Sequence, residues 1–229
     1  MNGSLVAVGL GPGDPELVTL KAVKAIAAAQ HVFVIGTEER SRALETAKTY
    51  INSNAQTHLF AMPMLKQRTL AKQIYKEMAD AIHALLQQNK HCVFLCEGDP
   101  MFYGSFIHLL DALNMDLPLS IIPGISSIHS AAAASLTPLV TLNETLTVIP
   151  ATTDISLIEH HFESKNTIVI LKAGPRIAEL KQIIIKHKLQ QGFTYVENCS
   201  HPEQRIINDI TQLPDTALPY FSLLIIKAN

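Results

Sequence analysis

The stretch LVAVGLGPGDP, residues 5–15, decides the fold class of this chain. Residues 5–8 form a short apolar run that is typical of a buried strand, and residues 15–29 repeat apolar side chains at helical spacing. A glycine-rich loop at residues 9–15, called the first loop below, therefore connects a strand to a helix. In open α/β sheets such loops lie at the carboxyl edge, where ligands bind.

The alternation of strand and helix continues outward from this loop. The predicted strands are residues 5–8, 32–35, 92–95 and 119–122, and the predicted helices are residues 15–29, 71–88, a segment ending near 113, and 130–135. This order predicts a mostly parallel sheet covered by helices.

The pattern changes at Thr137-Pro138-Leu139, and we place a domain boundary there. Residues 1–139 are expected to form an N-terminal α/β domain, and residues 140–229 a smaller C-terminal α+β domain with a mixed sheet. The strands predicted for the second domain are residues 145–149, 167–171, 194–197 and 221–226, with a helix at 176–188.

Composition excludes several classes of function. The chain has 229 residues, is 48% hydrophobic, and carries 18 Lys and Arg against 20 Asp and Glu, so no basic field is available for a nucleic-acid partner. No apolar run approaches the roughly 20 residues that span a bilayer, and no signal peptide precedes the first strand, so we expect no membrane partner and a cytoplasmic location.

Metal binding is not predicted. Cys92, Cys96 and Cys199 show no ligand-type spacing and fit small buried side chains better. Of ten histidines, only His160 and His161 are adjacent, and adjacent helix residues do not face the same way.

The first loop has features that a phosphate site lacks. Pro12 removes a backbone donor, and Asp14 and Glu16 place negative charge where a pyrophosphate would bind. The spacing is GxGxG rather than GxGxxG, so a cationic or neutral ligand fits better. The Glu38-Glu39 pair imitates the acid that binds ribose in dinucleotide folds, which leaves a nicotinamide-dependent oxidoreductase as an alternative. A tight turn without a ligand is the other alternative.

Two further loops follow predicted strands and are expected at the same edge. The second loop, residues 97–104, reads EGDPMFYG, and the third loop, residues 123–127, reads PGISS. Asp99 in the second loop, or Ser126 and Ser127 in the third, fit helix caps as well as ligand contacts. Three such loops on one sheet together favour a binding site.

These segments resemble a known family, the tetrapyrrole methylases. The resemblance rests on VGLGPGDPELVTLKA (8–22), EGDPMFYGSF (97–106), IPGISS (122–127), ETLTVIPA (144–151), ILKAGP (170–175), YVENCSHPEQRI (195–206) and PYFSLLII (219–226). Within the family, the second loop, the ETLTV segment and the PYFSL segment look most like precorrin-2 C(20)-methyltransferases of cobalamin biosynthesis.

The resemblance implies two α/β domains with the active site in the cleft between them, and S-adenosylmethionine as the cofactor. The expected substrate is a tetrapyrrole, precorrin-2 or cobalt-factor II, methylated at carbon 20; another corrin position or uroporphyrinogen is the alternative. A non-catalytic binding protein that keeps the fold is a further one. The resemblance assigns the adenine pocket to residues 219–222. Cofactor contacts are carried over to Pro12, Gly98, Asp99, Phe102, Ser126, Ser127, Ala173, Asn198 and Cys199.

The resemblance also suggests catalytic residues. Asp14 matches a loop aspartate to which related uroporphyrinogen methyltransferases assign proton acceptance, although capping of the next helix explains it equally well. The position of the proton donor in those relatives is Gly36 here, so a pair of acid and base does not carry over. Tyr103, beside the cofactor loop, is a candidate for hydrogen bonding to the substrate.

The substrate's carboxylates call for cations. The candidates near the first sheet's edge are Arg40, Arg42, Lys66 and Arg68, and those of the second domain are Arg176 and Arg205. Each by itself fits a solvated surface charge better than a substrate contact. His129 is the histidine to test against the tetrapyrrole. By analogy with the family, a homodimer is expected.

Overall fold

The computed structural model describes residues 3–37, 40–62, 68–113, 116–164 and 166–227. It divides into two compact units, Met1–Ser126 and Ser127–Asn229. Each unit contains one five-stranded sheet.

The first unit is built on a parallel sheet. Its strands are β1 (Ser4–Gly9), β2 (His31–Gly36), β3 (Gln56–Ala61), β4 (His91–Cys96) and β5 (Leu119–Ile122), in the order β3-β2-β4-β1-β5. Its helices are α1 (Leu20–Ala28), α2 (Arg42–Ala47), α3 (Arg68–Gln87) and α4 (Phe106–Ala112). Every strand pairing is parallel, so the carboxyl ends of all five strands lie at one edge.

Both faces of this sheet are buried, which explains why its central strands are apolar after their first residue. One face packs against α3 and α4, where the rings of Phe94 and Phe106 lie 5.6 Å apart and are fully buried. The other face packs Val8 and Val34 against Ala22 and Ile26 of α1. Among the described residues, no helix is both long and apolar enough to cross a membrane.

The helix expected at residues 15–29 begins later than the apolar spacing suggested. Pro15–Leu17 forms a short 3-10 helix, and α1 starts only at Leu20. Thr19 caps α1, because its Oγ1 accepts a hydrogen bond of 3.2 Å from the backbone N–H of Ala22. The first turn of the predicted helix was therefore wrong.

The second unit contains a mixed sheet, as expected. Its strands are β6 (Leu146–Pro150), β7 (Thr167–Leu171), β8 (Phe193–Glu197), β9 (Arg205–Ile207) and β10 (Ser222–Lys227), in the order β6-β7-β10-β8-β9. Its helices are α5 (Ser127–Ala134), α6 (Ile155–His161) and α7 (Ile177–Lys186). Within this second sheet, the described pairing of β6 with β7 is parallel and the others are antiparallel, so β7 and β8 end where β10 begins.

The boundary between the units falls earlier than the sequence suggested. The sequence pattern predicts a boundary between residues 139 and 140, whereas the division lies between Ser126 and Ser127. The reason is the packing of α5: Ile128 and Ala131 belong to a buried cluster with Val169, Val196 and Leu223 of the second sheet. Helix α5 therefore belongs to the second unit.

Candidate functional site

The first and second loops are joined by backbone hydrogen bonds. Strands β1 and β4 are neighbours in the sheet, so the loops that follow them leave the same edge. The N–H of Gly11 donates to the carbonyl of Gly98 over 3.2 Å, and the N–H of Gly98 donates to the carbonyl of Gly11 over 2.7 Å. The two glycine loops are therefore held against each other.

The third loop packs against the first and second loops, and glycine residues form the contact. A Cβ atom on Gly9 would lie 2.7 Å from the Cα of Gly124 and 2.8 Å from the carbonyl oxygen of Gly98, and a Cβ on Gly124 would overlap that same oxygen. Only residues without a side chain allow three backbones to approach this closely. The convergence expected from the sequence is thus present in the first unit.

Gly98 is half-buried at the centre of this contact, and one side of it borders open space. Its φ of +65° is a left-handed conformation that disfavours side chains, and nothing lies within 4 Å of the position that a Cβ would take. Pro12 of the first loop is half-buried. A ligand can therefore approach the second loop's backbone from this side.

Asp99 connects the second and third loops. Its Oδ1 accepts a hydrogen bond of 2.8 Å from the N–H of Met101, and its Oδ2 accepts one of 3.0 Å from the N–H of Gly124. The carboxylate therefore holds the two loops together. Each carboxylate oxygen retains acceptor capacity for a further donor.

Asp14 occupies a capping position. Its Oδ1 accepts a hydrogen bond of 2.8 Å from the N–H of Glu16, at the start of the 3-10 helix Pro15–Leu17. The side chain is half-buried. The sequence left two roles open for Asp14, a cap and a base, and this hydrogen bond is the cap.

Phe102 and Tyr103 are surface residues of the second loop. Their exposed fractions are 36% and 43%, and their rings meet edge to face with centroids 5.0 Å apart. Tyr103 has a φ of +53°, which is uncommon for an aromatic residue and concentrates at functional sites. Helix α4 begins only at Phe106, so Tyr103 lies in the loop before the helix and not in the helix itself.

Glu97 is a functional candidate that the sequence reasoning missed. It follows β4 directly, and burial raises the pKa of its carboxyl from 4.5 to about 7, while the charge of Arg42 opposes that shift and the charge of Glu45 adds to it. A carboxyl with a pKa near neutrality can accept or donate a proton at physiological pH. The signal in the sequence was a charged residue directly after the apolar run of residues 92–96.

In the second unit, three turns meet where β7 and β8 end and β10 begins. Ser222 connects two of them: its Oγ accepts a hydrogen bond of 2.8 Å from the N–H of Gly174, and its carbonyl accepts one of 3.2 Å from the N–H of Ala173. The N–H of Asn198 donates to the carbonyl of Phe221 over 2.8 Å. Ala173 and Asn198, two of the expected cofactor contacts, therefore lie on turns tied to residues 221–222.

A buried carboxylate supports the turn that contains Asn198 and Cys199. The hydroxyl of Tyr195 donates to Glu197 over 2.6 Å, and the guanidinium of Arg205 lies 2.9 Å from the other carboxylate oxygen. Burial and the hydrogen bond to Glu197 raise the pKa of Tyr195. Asn198 has a φ of +48°, and Cys199 is buried against α5, so this turn is fixed on both sides.

The expected binding residues thus fall into two groups. Pro12, Gly98, Asp99, Phe102 and Ser126 belong to the converging loops of the first unit, and Ser127, Ala173, Asn198 and Cys199 belong to the second unit, with Ser127 opening α5.

The candidate cations are mostly engaged in ion pairs. Arg40 pairs with Glu45 at 2.6 Å, Arg176 with Glu179 at 2.7 Å, and Arg205 with Glu197 at 2.9 Å. Arg42 opens α2, and Arg68 opens α3. Lys66 and the pair Glu38-Glu39 lie outside the described residues.

Two further features concern histidine and metals. His129 is exposed on α5. Within the described ranges, no group of three or more His, Cys, Asp and Glu side chains is placed to hold a metal ion.

Curated relatives match the chain over nearly its whole length. It is 30% identical to the cobalamin biosynthesis protein CobIJ of Mycobacterium bovis, over 99% of this chain and 46% of CobIJ, so it spans about half of that relative. It is 28% identical to a precorrin-2 C(20)-methyltransferase of a Sinorhizobium species, covering 98% of this chain and 95% of the relative. It is 25% identical to the cobalt-precorrin-2 C(20)-methyltransferase of Salmonella typhimurium, covering 99% and 97%.

Solved structures share the fold. The X-ray structure of the cobalt precorrin-4 methyltransferase CbiF superposes with a TM-score of 0.75 at 20% identity, covering 99% of this chain and 95% of CbiF. The uroporphyrin-III C-methyltransferase of Thermus thermophilus, complexed with S-adenosylhomocysteine, superposes with a TM-score of 0.70 at 20% identity, covering 98% and 92%. Residues 4–214 match the family of Tetrapyrrole (Corrin/Porphyrin) Methylases. The chain belongs to the tetrapyrrole methylase family.

Proposed function

We propose that this chain transfers a methyl group from S-adenosylmethionine to carbon 20 of precorrin-2 or of cobalt-factor II in cobalamin biosynthesis. The observation that carries the proposal is the full-length similarity to relatives named as C(20)-methyltransferases, one for precorrin-2 and one for cobalt-precorrin-2. Methylation at another corrin position, or of uroporphyrinogen, is the alternative.

The cofactor contacts proposed are those expected from the resemblance. In the first unit, the open space at Gly98, the half-buried Pro12 and the remaining acceptor capacity of Asp99 support binding of a cationic ligand with hydroxyl groups. Phe102 offers exposed apolar surface, and Ser126 precedes α5. In the second unit we propose Ser127, Ala173, Asn198 and Cys199 as further contacts.

The reaction proposed is an in-line displacement. The electron pair of the ring carbon forms a bond to the methyl carbon, the bond between that carbon and the sulfonium breaks, and neutral S-adenosylhomocysteine leaves. The methylated ring carbon then loses its proton to a base. Because the sulfonium is already a good leaving group, we expect the protein to act mainly by positioning the two reactants.

Asp14 is the proton acceptor we propose, with Tyr103 as a hydrogen-bonding contact to the substrate. Asp14→Asn keeps an oxygen that can accept the hydrogen bond from Glu16 but removes the base, whereas Asp14→Ala removes both. If Asp14 is the base, we expect both variants to lose turnover by about 100-fold or more. If Asp14→Asn keeps full turnover while Asp14→Ala mainly lowers stability, Asp14 is a cap only.

Glu97 is the alternative acceptor, because its pKa of about 7 suits proton transfer near neutral pH. Glu97→Gln should abolish the pH dependence of turnover between about pH 6 and pH 8 if Glu97 is the base. An unchanged profile would leave Asp14 as the candidate.

The activity is tested by incubating the protein with a tetrapyrrole and S-adenosylmethionine that carries a deuterated methyl group. We expect mass spectrometry to show the gain of one labelled methyl group, and carbon NMR to place it at carbon 20. A labelled methyl group at another carbon would show that carbon 20 is not the position that the protein methylates. Running precorrin-2 and cobalt-factor II in parallel identifies the better substrate.

The oxidoreductase alternative makes an opposite prediction. A nicotinamide site requires a pyrophosphate beside the first loop, where Pro12 provides no donor and Asp14 adds negative charge. Calorimetry should therefore detect S-adenosylhomocysteine binding and no NAD binding. Tight NAD binding without a response to S-adenosylhomocysteine would overturn the proposal.

A further inference from the structure

Lys172 stands in a strained position at the end of β7. Its φ is +59°, a left-handed conformation. For any residue that has a side chain, this conformation is unfavourable in free energy. The next two residues are fixed, because the N–H groups of Ala173 and Gly174 both donate to Ser222. Residues held in such conformations concentrate at binding sites. The strained backbone therefore marks Lys172 as a candidate binding residue.

The Lys172 ammonium lies beside an exposed aromatic pair. It is 5.4 Å from the centroid of the Tyr220 ring, within the range of a cation–π contact. Tyr220 and Phe221 meet edge to face with centroids 5.4 Å apart, and each is 40% exposed. A positive charge and two exposed rings therefore share one edge of the second sheet.

Most other cations of the second unit are bound to carboxylates. The ion pairs are Arg176–Glu179, Lys181–Asp215, Lys186–Glu159, Arg205–Glu197 and Lys227–Glu144. Within the described part of the chain, Lys172 has no carboxylate within 4.0 Å, and Tyr220 is its ring contact. Its charge is therefore available to an anionic ligand.

We propose that Lys172 binds a side-chain carboxylate of the tetrapyrrole, with Tyr220 and Phe221 as the apolar surface beside it. This departs from the adenine pocket that the resemblance assigns to residues 219–222. The proposal rests on the proposed function, which supplies a ligand that combines a flat ring with several carboxylates. A compact ammonium on a flexible stem suits a single carboxylate of such a ligand. The amino-acid carboxylate of S-adenosylmethionine is the other source of the same chemistry, and the experiment separates the two.

The experiment compares Lys172→Met, which keeps length and removes charge, with Lys172→Arg, which keeps charge. Lys188→Met is the matched control, because Lys188 is also a left-handed lysine, with a φ of +58°, but follows α7 instead of β7. The dissociation constant of cobalt-factor II is measured by absorbance titration, and that of S-adenosylhomocysteine by calorimetry. Neither titration needs turnover.

We expect Lys172→Met to weaken cobalt-factor II binding about tenfold, with a smaller dependence on salt, since one charge-assisted contact is lost. Lys172→Arg should recover most of the affinity, and Lys188→Met should match the wild type. S-adenosylhomocysteine binding should be the same in all four proteins.

Unchanged cobalt-factor II affinity in Lys172→Met would overturn the proposal. A loss of S-adenosylhomocysteine affinity with unchanged tetrapyrrole affinity would also overturn it and assign Lys172 to the cofactor. Failure of the proposed function itself looks different, because the wild type would then show no S-adenosylhomocysteine binding or no methyl transfer.

Discussion

Glu97 shows how strongly a single position depends on its surroundings. The sequence alone does not distinguish Glu97 from the other glutamates. Its position after β4 buries the carboxyl, and this burial raises the pKa to about 7. No pattern in the sequence states how much water reaches a side chain. The raised pKa follows from three-dimensional packing, and it has a consequence for stability.

The stability of the protein should depend on the charge of Glu97. Because the folded-state pKa of about 7 lies above the ordinary value of 4.5, the folded protein holds this proton more tightly than the unfolded chain. The stabilisation is full below about pH 4.5 and is lost as the pH rises through about 7. Relative to wild type, Glu97→Gln should gain up to about 3 kcal/mol in the free energy of unfolding between about pH 5 and pH 8.

The measurement is urea unfolding of both proteins across that pH range. Glu77→Gln serves as the control, because Glu77 is exposed on α3. A difference between wild type and Glu97→Gln that stays constant with pH would contradict the raised pKa.

At the scale of elements, the loops depend on bonds that span long stretches of sequence. Asp99 binds the N–H of Met101 and, 25 residues away, that of Gly124, through separate oxygens. Asp99→Asn replaces one oxygen with a donor, so one N–H loses its acceptor. We expect a loss of about 1 to 2 kcal/mol in the free energy of unfolding, measured in urea.

Asp154→Asn is the matched control for this prediction. Asp154 caps helix α6, and the backbone N–H and hydroxyl of Ser156 both donate to a single oxygen, Oδ1, which asparagine retains. Its effect should stay below about 0.5 kcal/mol. Equal effects of the two substitutions would show that the bridge between the loops contributes nothing.

The strands that the sequence predicted are the apolar ones. Central strands such as β4 and β7 are buried on both faces, so their letters show a continuous apolar run. The missed strands are β3, an edge strand with exposed polar positions, and β9, which has three residues. Helices α2 and α6 were missed because a stretch of six or seven residues is too short for the helical spacing of apolar residues to repeat clearly.

The candidate site was predictable to the same extent. Glycine and proline in the first loop showed where a ligand loop lies, because their backbone properties are independent of the rest of the chain. The contact between Gly9 and Gly124 and the network around Glu197 depend on strand order, which local patterns do not encode. The unit boundary differed for the same reason, since α5 is assigned by what it packs against.

For the whole molecule, ligand binding should appear as thermal stabilisation. A ligand that binds only the folded protein at 100 times its dissociation constant adds about 2.7 kcal/mol. In a chain of this size that corresponds to a rise of about 5 to 10 °C in the melting temperature. We expect S-adenosylhomocysteine to produce this rise and NAD to produce none, measured by scanning calorimetry. A rise with NAD alone would contradict the cofactor assignment.

The burial of all three cysteines has a practical consequence. Cys92, Cys96 and Cys199 are free and buried, and burial raises the pKa of the first two, to about 11 for Cys92. Maleimide dyes react with accessible thiolates, so the native cysteines should stay unlabelled near neutral pH. New cysteines at the exposed positions Asn54 and Gln182 would then carry a donor and an acceptor dye without removing any native residue from the core. Energy transfer between them would report directly how the two units respond to cofactor.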